Sequence, residues 1–190
     1  MASSRFAPRA CSHYVLTMQA RPFESDAPFG SRKIIIRRNP RTGKPQAIEA
    51  SWGLEPWEPE GKPFRFIRSE GRSFPHQRCL VPASEFQVTN GDRKFRVTLD
   101  DGNFFYLAGI WRPSSGERDV SYAIITIEAG PDIFFYQERQ GAVLLRRQNI
   151  AWLDLAQPES ELLRALPKHS FHIEEVGPKG LADRQRMLAF

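Results

Sequence analysis

Short runs of alternating or densely apolar residues, separated by turn sequences, indicate a chain built mainly from β-strands. Arg93–Leu99 alternates polar and apolar side chains, and residues 104–111 form a dense aromatic and aliphatic run. Between them, residues 100–103 read Asp-Asp-Gly-Asn, which is typical turn chemistry. Because a strand places successive side chains on opposite faces of a sheet, this arrangement predicts a β-hairpin.

Other segments repeat the strand pattern, whereas helical patterns are few. Further strands are predicted at residues 33–37, 46–52, 77–86 and 120–127. An Asn-Pro-Arg-Thr-Gly turn joins the first two of these into a second hairpin. Helical spacing is found at residues 147–155 and 159–166, and Pro167 ends the second segment. The sequence thus predicts a β-rich chain with a few helices.

The composition is that of a globular protein. The chain has 190 residues, of which 41% are hydrophobic and 26% are charged, and this length suits one domain spanning residues 1–190. Its longest uncharged apolar stretches fall well short of the roughly 18 residues that cross a bilayer. The first residues carry no apolar signal core. We therefore expect a cytoplasmic protein with no membrane span.

Positive charge is concentrated in the first quarter of the chain. Residues 1–50 hold nine Lys and Arg against three Asp and Glu, a balance of +6, while the remaining 140 residues carry −1. Such an excess suits a polyanionic partner, because Lys and Arg drive phosphate binding through counterion release. A solvated basic face is the equally open alternative.

Neither the cysteines nor the histidines indicate a cofactor. Cys79 lies between apolar residues of a predicted strand, so we expect a buried thiol and not a nucleophile. Cys79 and Cys11 are the two cysteines of the sequence, so they cannot form a framework of several disulfides. His169 and His172 have no nearby Cys or Asp to complete a tetrahedral metal site. We expect no cofactor and no metal ion.

A series of short blocks, read in order, points to a known family. The blocks are Arg5-Phe6-Ala7, Asp26-Ala27-Pro28, Trp52-Gly53-Leu54-Glu55-Pro56-Trp57, Arg68-Ser69-Glu70, Arg78-Cys79-Leu80-Val81-Pro82-Ala83 and Glu138-Arg139. The order and the residues of these blocks resemble those of the SOS response-associated peptidase (SRAP) family. Members open with Cys-Gly-Arg-Phe-Ala and later carry Trp-Gly-x-x-Pro-x-Trp, Asn-x-Arg-x-Glu, Arg-Cys-Leu-x-Pro-Ala and His-Asp-Arg-Met-Pro.

The resemblance implies both a fold and a chemistry. It implies an α+β fold of mostly antiparallel β-sheets that form a barrel-like core with a few helices, and a basic groove for single-stranded DNA. In the family, the amine and thiol of an N-terminal cysteine condense with the aldehyde of an abasic site and trap the DNA. An Asn, a Glu and a His complete that site, the last two by handling protons.

This sequence departs from the family at each of those four positions. The cysteine position holds Ser3, the Asn position holds Phe66 and the His position holds Gln137, which cannot titrate. The glutamate position holds Val88. Glu85 lies three residues earlier, and an odd offset on a strand points to the opposite face, so it replaces the glutamate only if the register slips. Ser3, Glu85 and Gln137 are the candidate catalytic residues, although each departs from the family's pattern in residue type or in position.

The positions that contact DNA in the family are retained. Arg5, Arg68 and Arg139 occupy places where members face DNA phosphates or the site, and Trp57 lies where members stack a base. The protein could therefore bind DNA even though the covalent chemistry is lost. We assign Arg5, Trp57, Arg68 and Arg139 as the candidate nucleic-acid-binding residues.

Structural alternatives stay open for these residues. Arg68 and Arg139 could instead form an internal ion pair with Glu70 or Glu138, and Trp57 could be a core aromatic that anchors the proline-rich loop. In either case the side chains would stabilise the fold.

The leading hypothesis is a divergent SRAP-like protein of the DNA damage response that binds single-stranded or abasic DNA with its crosslinking activity lost or impaired. One alternative is an active enzyme that crosslinks to abasic sites and has autopeptidase activity. Another is an interaction module without DNA binding. We expect a monomer, associated with the nucleoid within the cytoplasm and not with a membrane.

Overall fold

Strands make up most of the protein, whose computed structural model describes residues 20–56, 60–113 and 120–176. The strands are β1 (Arg21–Phe23), β2 (Arg32–Arg38), β3 (Pro45–Trp52), β4 (Phe66–Arg68), β5 (Arg78–Asn90), β6 (Arg93–Leu99), β7 (Phe105–Pro113), β8 (Val120–Glu128), β9 (Arg139–Gly141), β10 (Val143–Leu144) and β11 (Phe171–Val176). The helices are α1 (Asn149–Leu153) and α2 (Glu159–Leu162), and a 3₁₀ turn at Arg146–Gln148 precedes α1.

Five of the strands close into a barrel. β2 pairs with β3 on one side and with β5 on the other, β5 pairs with β7, and β7 pairs with β8, all antiparallel. A parallel pair between β8 and β3 closes the ring. Closure removes the free edges of these strands, whose hydrogen-bonding groups would otherwise lack partners. The prediction of an α+β fold with mostly antiparallel sheets, a barrel-like core and a few helices is confirmed.

The turn between β2 and β3 explains why that hairpin could be predicted. The Asn39 side-chain oxygen accepts hydrogen bonds from the backbone N–H groups of Arg41, at 2.9 Å, and Thr42, at 3.1 Å. Gly43 then takes a φ of +67°, which residues with a Cβ rarely adopt. The chain reverses within these few residues, and the two strands pair along their whole lengths.

The first predicted hairpin is wrong, because β6 and β7 do not pair with each other within the described residues. The 13-residue β5 pairs with β7 through its first half and with β6 through its second half. The real hairpin is β5–β6, which turns at Gly91 with a φ of +59°. The loop at residues 100–104 then connects β6, which lies beside the second half of β5, to β7, which lies beside the first half.

The barrel strands bury side chains on both faces. Tyr122 and Ile124 of β8 belong to the cluster inside the barrel, and the alternate residues Ala123 and Ile125 belong to a second cluster outside it. The outer cluster is covered by Trp152 of α1, whose indole N–H donates to a β5 carbonyl at 3.0 Å. Burial on both faces explains why these strands read as nearly continuous apolar runs.

The helices are shorter than predicted. The 3₁₀ turn overlaps the start of the predicted segment 147–155 and α1 lies within it, but α2 ends at Leu162 and not at residue 166. Leu163 already has a non-helical conformation, and Leu166 packs against the barrel cluster, so tertiary contact overrides helix propensity here. Neither helix within the described ranges is long and apolar enough to span a membrane.

Candidate functional site

One end of β8 brings together two short strands that are far apart in the sequence. β4 pairs with β8 so that Arg68 lies beside Thr126, and β9 pairs with β8 so that Gly141 lies beside the same threonine. A cavity of about 430 Å³ lies at this place. Its lining includes Phe66, Arg68, Thr126, Gln137, Arg139 and Gln140.

Arg139 is held at the wall of this cavity by one side of its guanidinium group. Its Nη2 atom donates to both Glu70 carboxylate oxygens, at 2.8 and 3.1 Å, and to the Thr126 carbonyl at 2.9 Å. The hydrogen bond from Arg139 lowers the pKa of Glu70 below its ordinary value. The ion pair considered as an alternative is therefore present. Because Nη1 has no partner among the described residues, the guanidinium keeps donors for a further anion.

Arg68 carries a second positive charge into the same cavity. It lies exposed at the end of β4, and its side chain forms no hydrogen bond or salt bridge within residues 20–56, 60–113 and 120–176. The internal ion pair considered for Arg68 is thus not formed there. The described lining holds these two arginines and no carboxylate, so this wall of the cavity is positive.

Phe66 and Gln137, which the sequence resemblance assigns to the family's Asn and His positions, both line the cavity. The Phe66 ring is 41% exposed and stands edge-on to Trp52, with 5.3 Å between ring centroids. It forms an apolar wall that can neither donate nor accept a hydrogen bond. The Gln137 amide offers both a donor and an acceptor but does not titrate. Both side chains therefore line the same cavity, but neither of them can act as an acid or a base.

The two candidates on β5 do not take part in the cavity. Val88 is buried in the cluster inside the barrel. Glu85 is not among the lining residues, and it interacts electrostatically with Arg96. A catalytic role for Glu85 stays a prediction that no contact supports.

Other residues singled out in the sequence lie outside the described ranges. These are Ser3, Arg5, Cys11 and Trp57, and their roles stay predictions. In the part of the chain that the structure describes, no three His, Cys, Asp or Glu side chains come together as a possible metal site.

Cys79 lies inside the barrel, as expected of a buried strand thiol. It is 0% exposed, and burial raises the pKa of its thiol well above the ordinary value. We expect iodoacetamide at pH 8 to leave Cys79 unmodified in the native protein and to alkylate it fully after denaturation. Peptide-level mass spectrometry measures this position separately from Cys11. Rapid alkylation of native Cys79 would mean that the barrel opens.

An exposed aromatic pair lies close to the cavity along the chain, and the sequence patterns did not reveal it. Phe134 and Phe135 are 65% and 77% exposed, with their ring centroids 6.0 Å apart. Hydrogen bonds hold this turn: the Phe134 N–H donates to Gly130, and the Asn90 side chain donates to the Phe135 carbonyl. The only signal was the Phe-Phe-Tyr run directly before Gln137, which lacks the alternation of a strand.

Comparisons with known proteins agree with this fold. A family model described as SOS response-associated peptidase (SRAP) matches residues 19–179. A crystal structure from Bordetella bronchiseptica is similar with a TM-score of 0.64 and 21% identity, covering 84% of this chain and 92% of that chain. One from Bacteroides thetaiotaomicron has a TM-score of 0.62 and 20% identity, covering 80% and 77%. No curated protein matches. The family model spans most of the sequence, and the chain belongs to the SRAP family.

Proposed function

We propose that this SRAP protein binds single-stranded DNA, including strands with abasic sites, as a monomer and without forming a covalent bond. The family description associates the chain with the SOS response, and thereby with DNA damage. The observation that carries the proposal is the cavity beside β8, where Arg68 and Arg139 lie next to the aromatic wall of Phe66.

The two arginines supply contacts to phosphate. Arg139 is already oriented by Glu70 and Thr126, so binding through its remaining donors costs little side-chain entropy. Arg68 is exposed and carries no competing salt bridge within the described ranges. Contacts of this kind bind any sequence and weaken as salt concentration rises.

The exposed Phe134 and Phe135 rings supply a stacking surface. Every nucleobase has a flat face, so stacking on an aromatic ring tolerates any sequence. The pair lies two and three residues before Gln137, which lines the cavity. A strand that passes from the arginines over this turn would meet charge and aromatic surface in succession. Single strands would be favoured, because bases in a duplex are already stacked.

Replacing both rings, in Phe134→Ser with Phe135→Ser, should weaken binding to single-stranded DNA by about 1–3 kcal/mol for each base that stacks there. The melting temperature should change little, because both side chains are mostly exposed. Fluorescence anisotropy and thermal unfolding measure the two quantities. Ile150→Ser on α1 is the control for removal of an exposed apolar side chain. Unchanged affinity in the double variant would remove these rings from the DNA-binding surface.

The proposed loss of covalent chemistry follows from the residues at the family's reactive positions. Ser3 offers no thiol to close a sulfur-containing ring with an aldehyde. Phe66, Val88 and Gln137 cannot pass protons near neutral pH. Among the described residues that line the cavity, none is an acid or a histidine.

Fluorescence anisotropy with a labelled oligonucleotide tests the binding. We expect single-stranded DNA to bind more tightly than a duplex of the same sequence, with an affinity that falls steeply from about 50 to 200 mM salt. Affinity that is flat across this range, or no binding at its low end, would contradict the proposal and favour an interaction module without DNA binding.

A further inference from the structure

The hairpin formed by β2 and β3 carries positive charge that the cavity beside β8 does not use. Residues 33–48 contain five Lys and Arg and no Asp or Glu. Four of these cations, Arg37, Arg38, Arg41 and Lys44, fall within residues 37–44, which we call the basic hairpin. Like charges that lie this close repel one another, so an anion beside them is stabilised.

Most of this charge has no partner on the protein. Arg41 and Lys44 are exposed, and neither side chain forms a hydrogen bond or a salt bridge within residues 20–56, 60–113 and 120–176. Arg38 is different, because it pairs with Asp154 just after α1 and donates to the Gly43 carbonyl at 3.0 Å. The Arg38 pair therefore anchors the basic hairpin, while its other three cations stay uncompensated.

Arg37 is not an ordinary solvated arginine. Its guanidinium carbon lies 3.9 Å from the centroid of the Trp111 ring, which fixes the position of the charge. The side chain is partly buried, and this burial lowers the pKa of the guanidinium. Its Nη1 and Nη2 atoms form no hydrogen bond within the described residues and are not closed to solvent. A cation that has lost part of its hydration and lacks a carboxylate partner attracts a phosphate oxygen strongly.

The basic hairpin and the cavity beside β8 lie towards opposite ends of the barrel. Arg37 pairs with Cys79 near the start of β5, whereas Phe86 and Gln87, which line the cavity, lie seven and eight residues further along that strand. At about 3.3 Å per residue, the two places are roughly 25 Å apart along β5. No residue of the basic hairpin lines the cavity. The two surfaces are therefore separate.

We infer that the basic hairpin is a second contact for the phosphate backbone, so that a strand held in the cavity beside β8 continues along the outside of the barrel to Arg37, Arg41 and Lys44. The inference rests on the proposed binding of single-stranded DNA and deepens it, because it gives the bound strand a path and a length. At about 3.4 Å per nucleotide of a stacked strand, roughly 25 Å corresponds to about seven nucleotides. Shorter strands reach only one of the two surfaces, and longer strands reach both.

Two labelled oligothymidines, of 4 and 24 nucleotides, test the inference by fluorescence anisotropy. Arg41→Gln with Lys44→Gln should weaken binding of the long strand about tenfold at 100 mM salt and reduce its salt slope by about 1.4, since each phosphate of a single strand contributes about 0.7. Binding of the short strand should change less than about twofold, because a strand of this length occupies the cavity, where charge and aromatic rings are combined. Arg147→Gln with Lys168→Gln is the matched control, because it removes one Arg and one Lys from exposed positions outside both surfaces.

Arg37→Gln is a second variant, and we expect it to weaken binding of the long strand about threefold with the same selectivity. If loss of the contact with Trp111 lowers stability, the variant of Arg41 and Lys44 keeps the test decisive, because those exposed side chains hold no part of the fold. Equal weakening of both strands, unchanged binding of the long strand, or the same loss in the control would each overturn the inference. The basic hairpin would then be a solvated face, and the proposed function would stand. Failure of the wild-type protein to bind either strand would contradict the proposed function itself.

Discussion

Arg78→Met is expected to lower the free energy of unfolding by about 3–5 kcal/mol, the usual cost of removing one partner of a buried ion pair. The Arg78 side chain is buried, and its Nη2 atom lies 2.6 Å from a Glu159 carboxylate oxygen. Its other nitrogens donate to the carbonyls of Phe74, at 2.7 Å, and Trp152, at 3.1 Å. One side chain therefore joins the start of β5, the preceding loop, α1 and α2. Urea denaturation measures the change.

Arg72→Met is the matched control, because Arg72 is an exposed arginine six residues away. It should alter stability by less than about 0.5 kcal/mol. Adding Glu159→Gln to Arg78→Met should recover part of the stability, since it removes the uncompensated carboxylate while an amide oxygen can still accept from Phe74 N–H. If Arg78→Met unfolds at the same urea concentration as Arg72→Met, the ion pair does not hold these elements together.

Arg68→Glu is expected to weaken binding to single-stranded DNA by about tenfold or more and to leave folding intact. The substitution removes one positive charge that binds phosphate and adds a repelling charge beside the strand. The slope of log affinity against log salt should fall by about 0.7 for each phosphate of a single strand that the variant no longer neutralises. Stability should be preserved, because Arg68 is exposed and forms no salt bridge within the described ranges. Anisotropy over a salt series measures both affinity and slope.

Arg147→Glu provides the control for the general effect of charge. Arg147 is exposed at the 3₁₀ turn before α1, and it does not line the cavity. We expect it to weaken binding much less than Arg68→Glu does, with a smaller change in the salt slope. Equal weakening in the two variants would mean that DNA responds to the overall charge and not to this cavity.

The barrel strands were predictable because their patterns are long and their turns are distinctive. Residues 33–37 and 46–52 are runs rich in apolar residues, and Asn39 and Gly43 supply the turn that β2 and β3 use. The partner of each strand was harder to predict. Nothing local shows that β5 is long enough to pair with both β6 and β7, so the nearest two strands were taken as a hairpin.

The site was only partly predictable, for related reasons. The family motifs identified Arg68 and Arg139. The two side chains come close to each other only because β4 and β9 both pair with β8. β4 has three residues, too few for any periodicity. The hydrogen bond between Arg139 and Glu70 likewise joins residues that are 69 positions apart, which no local sequence pattern contains.

The most direct test of the central claim, binding of DNA without a covalent bond, compares native and denaturing gels of one sample. The protein is incubated, without a reducing agent, with labelled single-stranded DNA that carries one abasic site. We predict a shifted band on the native gel and only free DNA on the denaturing gel, because Ser3 offers no thiol and Phe66, Val88 and Gln137 cannot transfer protons. A band that stays shifted after denaturation would contradict the account and show that the covalent chemistry of the family is retained.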